Sequence, residues 1–246
     1  VSGPRFGYFK NQAAQLEMAL MWYAFNKLID KGFSPIIPPS IIKKDIEHKM
    51  GYVDSSPKEP WRDMYQTQED DLILASSSEH SVIPMHAAET FNLDDLPVKY
   101  VNFSTCFRRE AGSYGKDTKG MFRVHQFNKV EMNIYTQPDL KVSDQMTKEM
   151  LSIQEEIMQE LGLHYQIVTA CTGDLPFPNR RMYDVEAWFP GQDRYRETHS
   201  CSNCADYQTR RLNIKVRVEQ DLKEVHALNA TVVTDRVLLA IMENYQ

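Results

Sequence analysis

Six cations, Arg108, Arg109, Lys116, Lys119, Arg123 and Lys129, crowd around three glycines in "STCFRREAGSYGKDTKGMFRVHQFNKVE", residues 104–131. The chain as a whole has a formal net charge of −6. A broad nucleic-acid surface comes with a basic domain, so the overall acidity speaks against one here. Positive charge confined to one window suits a small anionic ligand gripped at a single point. Guanidinium forks match phosphate geometry, so phosphate is the chemistry to look for.

Two β-rich segments, "PVKYVNFSTCFRRE" and "GMFRVHQFNKVEMNIY", flank the glycine-containing "AGSYGKDTKG". That pattern predicts a long-looped hairpin. Alternation along the second strand puts Arg123, His125, Phe127, Lys129 and Glu131 on one face. Phe122, Val124, Val130, Met132 and Ile134 fall mostly on the other, toward helices. Phe127 and Glu131 would stand roughly 13 Å apart. A nucleotide base stacked at Phe127 would then place its α-phosphate nearer Glu131, with Arg108 on the neighbouring strand as bidentate donor. Glu131 repels phosphate and should meet an ammonium instead, such as that of an amino acid. A charged, solvated sheet face bearing one aromatic is the alternative reading of these residues.

The elements that must position this face follow from periodicity. Between Lys10 and Lys31, Leu16, Ala19, Leu20, Tyr23, Ala24 and Leu28 recur at helical steps, and Gly32 suits a left-handed stop. The prolines of "FSPIIPPSII" favour extended chain at a sheet edge. Residues 139–161 predict a second long helix closed by Gly162. "HYQIVTA", "YDVEAWF" and "YQTRRLNIKV" predict strands, and "TDRVLLAIMENY" a last helix with Val237, Leu238, Ala240 and Ile241 inward. Strand candidates in hairpins without a regular βαβ beat predict an α+β fold, an antiparallel sheet flanked by helices. With no repeat or linker, residues 1–246 read as one domain.

Hydrophobic residues make up 42% and charged residues 25% of the 246, which excludes a disordered chain. No apolar run approaches the roughly 18 residues of a membrane helix. No secretory leader is legible, although "VSGPRFGYF" could equally begin at a cut within a longer chain. Cys106, Cys171, Cys201 and Cys204 are too few and scattered for a disulfide framework. The "CSNC" pair lacks a second ligand pair for zinc, so structural thiols are expected, with redox or metal roles as the alternative.

Three segments, "FRREAGSYGKDTKGMFRVHQFNKVE", "YRETHSCSNCADYQTRRLNI" and "HALNATVVTDRVLLAIMENYQ", closely resemble the catalytic core of the seryl-tRNA synthetases, a class II aminoacyl-tRNA synthetase family. The resemblance runs in order from Ser2 to Gln246 and leaves out that family's N-terminal tRNA-binding helical arm. It implies a class II antiparallel sheet, ATP and Mg²⁺ as cofactors, and L-serine and the acceptor end of tRNA(Ser) as partners. A homodimer through the first-motif helix and strand, with Pro38 or Pro39 as the motif proline, and a cytoplasmic location without membrane attachment are also implied.

Residue by residue, the resemblance makes Arg108 the α-phosphate arginine, Glu110 the reader of the adenine amino group and Phe127 the adenine platform. Arg123 contacts the phosphate tail and Arg236 the γ-phosphate; Arg108 and Arg236 are the catalytic pair. Arg109, Val124, Thr198 and His199 complete the ATP set, and Glu197 and Ser200 bind ATP with its magnesium. Glu197 and Ser200 differ in strand parity, which demands a bulge or strand end between them. Serine falls to Ser77, Ser78, Glu79, Arg108, Glu131, Asn229 and Thr231. Ser77 stands where relatives carry threonine, and Ala230 and Val232 where many carry glycine. Asp235 beside Arg236 would lower that arginine's effective charge if it faced inward.

The implied reaction is serine activation to seryl-adenylate, then transfer to tRNA. A serine carboxylate is already anionic at neutral pH, so the first step needs placement and charge neutralisation rather than a general base. His125 and His199 are read as hydrogen-bonded structural residues, with acid–base work the alternative. Tyr114 and Lys116 on the hairpin loop either touch the tRNA acceptor end or are merely exposed. Two further functions fit the motifs: a paralogue loading a small amino acid onto a carrier protein, and a silent dimeric binding or regulatory subunit.

Overall fold

The computed structural model describes residues 2–53, 61–111, 117 and 120–246. The first helix, α1 (Gln12–Asp30), ends as its sequence predicts. Gly32 sits at φ 85°, and the Phe33 N–H reaches back to the Leu28 carbonyl at 3.0 Å. Then come β1 (Ser34–Ile36), β2 (Ile41–Lys43), α2 (Lys44–Met50), β3 (Leu72–Leu74), the single turn α3 (Glu79–Val82) and β4 (Thr90–Asn92). The hairpin strands are β5 (Val98–Phe107) and β6 (Gln126–Thr136). After them lie α4 (Leu140–Glu160), β7 (Tyr165–Thr169), β8 (Arg181–Phe189) and β9 (Arg194–Ala205). The chain continues through α5 (Tyr207–Leu212), β10 (Lys215–Val218), β11 (Asp221–Glu224) and β12 (His226–Thr234) to α6 (Asp235–Asn244).

Seven strands form the main sheet in the order β1-β5-β6-β12-β9-β8-β7. All neighbours are antiparallel except β1 and β5, so the proline-rich segment does supply an edge strand. One face is covered by α1, α4 and α6. Leu20, Ala24 and Leu28 of α1, Met150, Ile153 and Ile157 of α4, and Val237 and Leu238 of α6 meet Val130, Met132, Ile134, Leu228 and Ala230 in one core. Their helical spacing of three and four residues makes each helix one-sided, and burying that side supplies the main driving force for packing. Central β12 is buried along its whole length.

Two expectations change. "YQTRRLNIKV" is not one strand: residues 207–212 are helical, Asn213 turns the chain at φ 55°, and the strand starts only at Lys215. Gln208, Thr209 and Leu212 are the buried positions of α5, a helical spacing that the β-formers Tyr, Thr and Ile mask. On the hairpin, β6 begins at Gln126, so strand alternation does not govern Arg123 and His125. Tyr114 and Lys116 lie outside the described residues.

Candidate active site

The open face of the sheet carries two adjoining cavities that share Arg108, Glu110, Arg123, Lys129, Glu197 and Ser200. The larger encloses about 740 Å³, within the range of small-molecule sites. Phe122, Val124, Phe127, Thr198, Thr231 and Arg236 line the first cavity; Ser77, Glu79, Glu131 and Asn229 line the second. Val124, expected to face the helices, lines the cavity because it precedes the strand, whereas Phe122 lines the cavity and also packs on core residue Phe189.

Cations gather at the first cavity. The Arg108 guanidinium lies 5.2 Å from the Phe127 ring centre, and its Nε donates to the Ser76 carbonyl at 3.1 Å. Arg236 and Arg196 stack on the Phe122 ring at 4.6 and 3.7 Å. Arg236 Nη1 donates to both the carbonyl and the carboxylate of Glu197, at 3.0 and 3.2 Å. Burial, and then the Arg108 and Arg123 charges, press the Arg236 pKa down while Glu197 opposes them. Three guanidiniums held close despite mutual repulsion make a site that gains from an arriving polyanion. Glu110, in the left-handed region at φ 53°, pairs with Arg123 at 2.7 Å.

Glu197 and Ser200 reach one cavity by the bulge their spacing demanded. Glu186 pairs with Glu197 and Val185 with His199, leaving Thr198 as the extra residue. A second bulge falls at Val232, whose carbonyl faces His199 Nε2 at 3.0 Å. Burial holds His199 down to about 4, so it is a neutral structural ring that lines neither cavity. Arg109 is exposed and lines neither cavity, so its expected contact with ATP, like that of the His199 ring, finds no side-chain support. His125 Nδ1 lies 3.0 Å from the Arg108 carbonyl and its ring packs on Phe6.

The second cavity has an acidic floor. Glu131, fully buried, accepts from Ser77 Oγ at 2.9 Å, from Ser78 Oγ, and from the Glu79 N–H at 3.1 Å. Lys129, two residues back on the same face, pairs with its other oxygen. Burial alone would raise Glu131, but the Lys129 charge and these hydrogen bonds hold it below the usual carboxylate range. Glu79 goes the other way, raised by burial and by Glu131 against the opposing His80, Gln208 and Tyr52. Tyr52 donates to Glu79 at 3.0 Å, and His80 pairs with Glu47 at 2.7 Å. Sequence reasoning missed Tyr52, His80, Glu47 and Gln208, which come from distant segments and carry no shared spacing.

Asp235 does not face Arg236. It lies against Glu17 and Asn128, and burial pushes its carboxyl up to about 7. Cys201 contacts the Thr147 carbonyl and Cys204 contacts Asn179, so the "CSNC" thiols have different neighbours. Both are buried, and burial raises both.

A family model, tRNA synthetase class II core domain (G, H, P, S and T), matches residues 61–245. The chain belongs to that class II synthetase family. Serine–tRNA ligase of Pyrococcus furiosus is 46% identical across all of this chain and 53% of its own length. That of Korarchaeum cryptofilum is 43% identical, again over 53% of its own length. The crystal structure of seryl-tRNA synthetase from Pyrococcus horikoshii complexed with ATP matches at a TM-score of 0.93 and 42% identity, over all of this chain and 54% of that one. The cytoplasmic serine–tRNA ligase of Naegleria fowleri in complex with AMP matches equally well at 37% identity and 57% of its chain. The chain thus spans about half the length of these synthetases. Its antiparallel sheet with flanking helices is the class II catalytic fold.

Proposed function

We propose that this chain is the catalytic domain of a serine–tRNA ligase, activating L-serine with ATP and passing the seryl group to tRNA(Ser). The supporting observation is how the two adjoining cavities divide their linings. Phe127 and three arginines stand at one end, and the buried Glu131 carboxylate with its serine-rich turn at the other. That division matches a nucleotide triphosphate on one side and a zwitterion's ammonium on the other. The ATP and AMP complexes of the two similar synthetases support the nucleotide end.

Arg108, between the two halves, would hold the serine carboxylate and the α-phosphate together. Arg236 would draw charge from the phosphate tail as the leaving pyrophosphate forms. Glu110 and Arg123, paired at 2.7 Å, would meet the adenine and the phosphate tail. Serine would lie among Ser77, Ser78, Glu79, Glu131, Asn229 and Thr231.

Mg²⁺ fits one place. Glu197 is half-exposed in the cavity near Ser200, and Asp184 has a buried Oδ1 with no hydrogen-bond partner among the described residues. Burial and the neighbouring Glu197 push Asp184 up to about 7, so a cation there would relieve like-charge repulsion. Among the described residues no cluster of three or more His, Cys, Asp or Glu is placed to hold a metal. Such a sparse donor set suits magnesium carried with phosphates, which would neutralise their charge.

A second copy of the chain would cover α1, where Met18 and Trp22 are 62% and 66% exposed. The domain is read as one unit working in the cytoplasm; among the described residues no helix is long and apolar enough to cross a membrane.

Exchange of labelled pyrophosphate into ATP, run with serine, threonine, alanine and glycine, tests the proposal. Exchange with serine alone is expected. None with any of the four would favour a silent subunit, and preference for another amino acid would reassign the substrate. A pocket that hydrogen-bonds the serine hydroxyl would reject alanine by about 10⁴-fold, whereas threonine is excluded only by shape, about 10- to 200-fold. Ser77, which the resemblance sets at a position usually held by threonine, makes threonine the closer competitor.

A further inference from the structure

Glu131 has no free side. One oxygen accepts from Ser77, Ser78 and the Glu79 backbone; the other is held by Lys129 Nζ and is also within reach of Ser77 Oγ, at 3.2 Å. A carboxylate offers about four acceptor positions, so any ammonium arriving from the cavity must displace a donor already there. The Glu79 N–H is backbone, and the two serines sit on short stems in a fixed turn. Lys129 hangs on four rotatable methylenes, contacts Ser77 Oγ at 3.2 Å, and lines both cavities. It alone among these donors can yield its place and remain hydrogen-bonded.

We propose that Lys129 is a positioning residue: its ammonium holds, on Glu131, the position that the amino acid's ammonium takes, and hands it over when the substrate binds. The inference deepens the proposed serine-binding role of Glu131 and rests on it. The exchange replaces one cation by another, so Glu131 is never left as a bare buried charge, which would cost several kcal/mol.

The surrounding charges make Lys129 the group that keeps Glu131 ionised. From the α3 turn, Glu79 lies close enough to add negative charge when ionised, while His80 is paired with Glu47 of α2 rather than with Glu131. Burial works against the His80 cation, but the Glu47 charge raises it on balance. Just past the end of β5, Arg108 is turned to Ser76 and Phe127, and within β5 burial raises the Cys106 thiol so that it stays uncharged. Burial likewise keeps Tyr52 and Cys204 uncharged, and His199, facing Lys129 from β9, is neutral. Without Lys129, burial and Glu79 would dominate and Glu131 would take up a proton as pH falls.

Lys129→Met is the test, read as the KM for serine in pyrophosphate exchange at about pH 6 and about pH 8. Wild type is expected to change little between them. The variant is expected to lose serine affinity about tenfold or more at the lower pH while staying within about threefold of wild type at the higher, with the KM for ATP unmoved. An equal rise at both pH values, or no change at either, overturns the proposal. Should the variant not fold, the Lys129 side-chain methylene signal in wild type, assigned by its loss in Lys129→Arg, reports the handover directly. It is expected to shift with L-serine and not with N-acetylserine, which has no ammonium; a signal unmoved by serine refutes the handover. If exchange runs with a different amino acid, the serine reading falls and the same titration uses that amino acid. If serine exchange runs normally without the pH split, only the Lys129 proposal falls.

Discussion

Replacing Asp235 by Asn should stabilise the protein, and increasingly so as the solution becomes alkaline. The Asp235 carboxyl is 8% exposed at the start of α6, with Oδ1 lacking a hydrogen-bond partner among the described residues. Burial, then the Glu17 charge, push it from 3.8 up to about 7, against a backbone hydrogen bond from Asn128. Its folded pKa is raised, so the unfolded chain releases its proton first. The stability held below about pH 4 is therefore drained as pH climbs through about 7. Three pH units correspond to about 4 kcal/mol. Asp235 also lines a cavity that water can enter, so about half of this is the working figure. Asn has no proton to release and still accepts from Asn128. For a chain of this size about 2 kcal/mol is a Tm gain of roughly 4–8 °C. Thermal unfolding of both proteins in steps from acid to mildly alkaline pH measures it. Asp184 also titrates near 7 in the fold, so the wild-type curve alone does not isolate Asp235; the difference between curves does. A gap that stays constant with pH, or an Asn variant less stable at about pH 8, would refute the burial argument.

Two other substitutions probe the proposed ligand halves. Arg108→Ala should reduce pyrophosphate exchange by about 10³-fold or more while circular dichroism stays native, because its guanidinium joins the two cavities. Exchange near the wild-type rate would mean that the α-phosphate lies elsewhere. Glu131→Gln should raise the KM for serine about 10- to 100-fold, the worth of one hydrogen bond to a charged group, and leave the KM for ATP alone. An effect confined to ATP would contradict an ammonium site at Glu131.

How far the sequence carried depended on which rule governed each stretch. Alternation holds from Phe127 to Ile134, where β6 is regular: Val130, Met132 and Ile134 enter the core, and Phe127, Lys129 and Glu131 face the cavities. It does not govern Phe122 and Val124, which line the first cavity although alternation puts them on the helix side, because they precede the first ladder pair, Phe107 with Gln126, and no hydrogen-bond register sets their direction; Arg123 reaches the cavities without it. The Thr198 bulge was legible only as a conflict, two residues of opposite parity asked to meet at one ligand. Alternation also misled over α5, where β-forming residue types cover a helical burial pattern that only the packing of Leu212 reveals.

The least legible feature was the one nearest to hand. Alternation puts Lys129 and Glu131 on the same binding face, so the ammonium nearest to the acid is the one two residues away on its own strand. Residues two apart on a strand lie roughly 7 Å apart along it, well within the reach of a lysine stem. A buried acid with a lysine at that spacing is already neutralised. It binds a second ammonium only by exchange, and exchange costs less than desolvating a new pair because the carboxylate is dry at the outset. The bound amino acid therefore has to outcompete an internal cation rather than fill a bare anionic hole. That competition favours ligands whose ammonium, carboxylate and side chain all find partners, and it disfavours simple amines that could meet Glu131 alone.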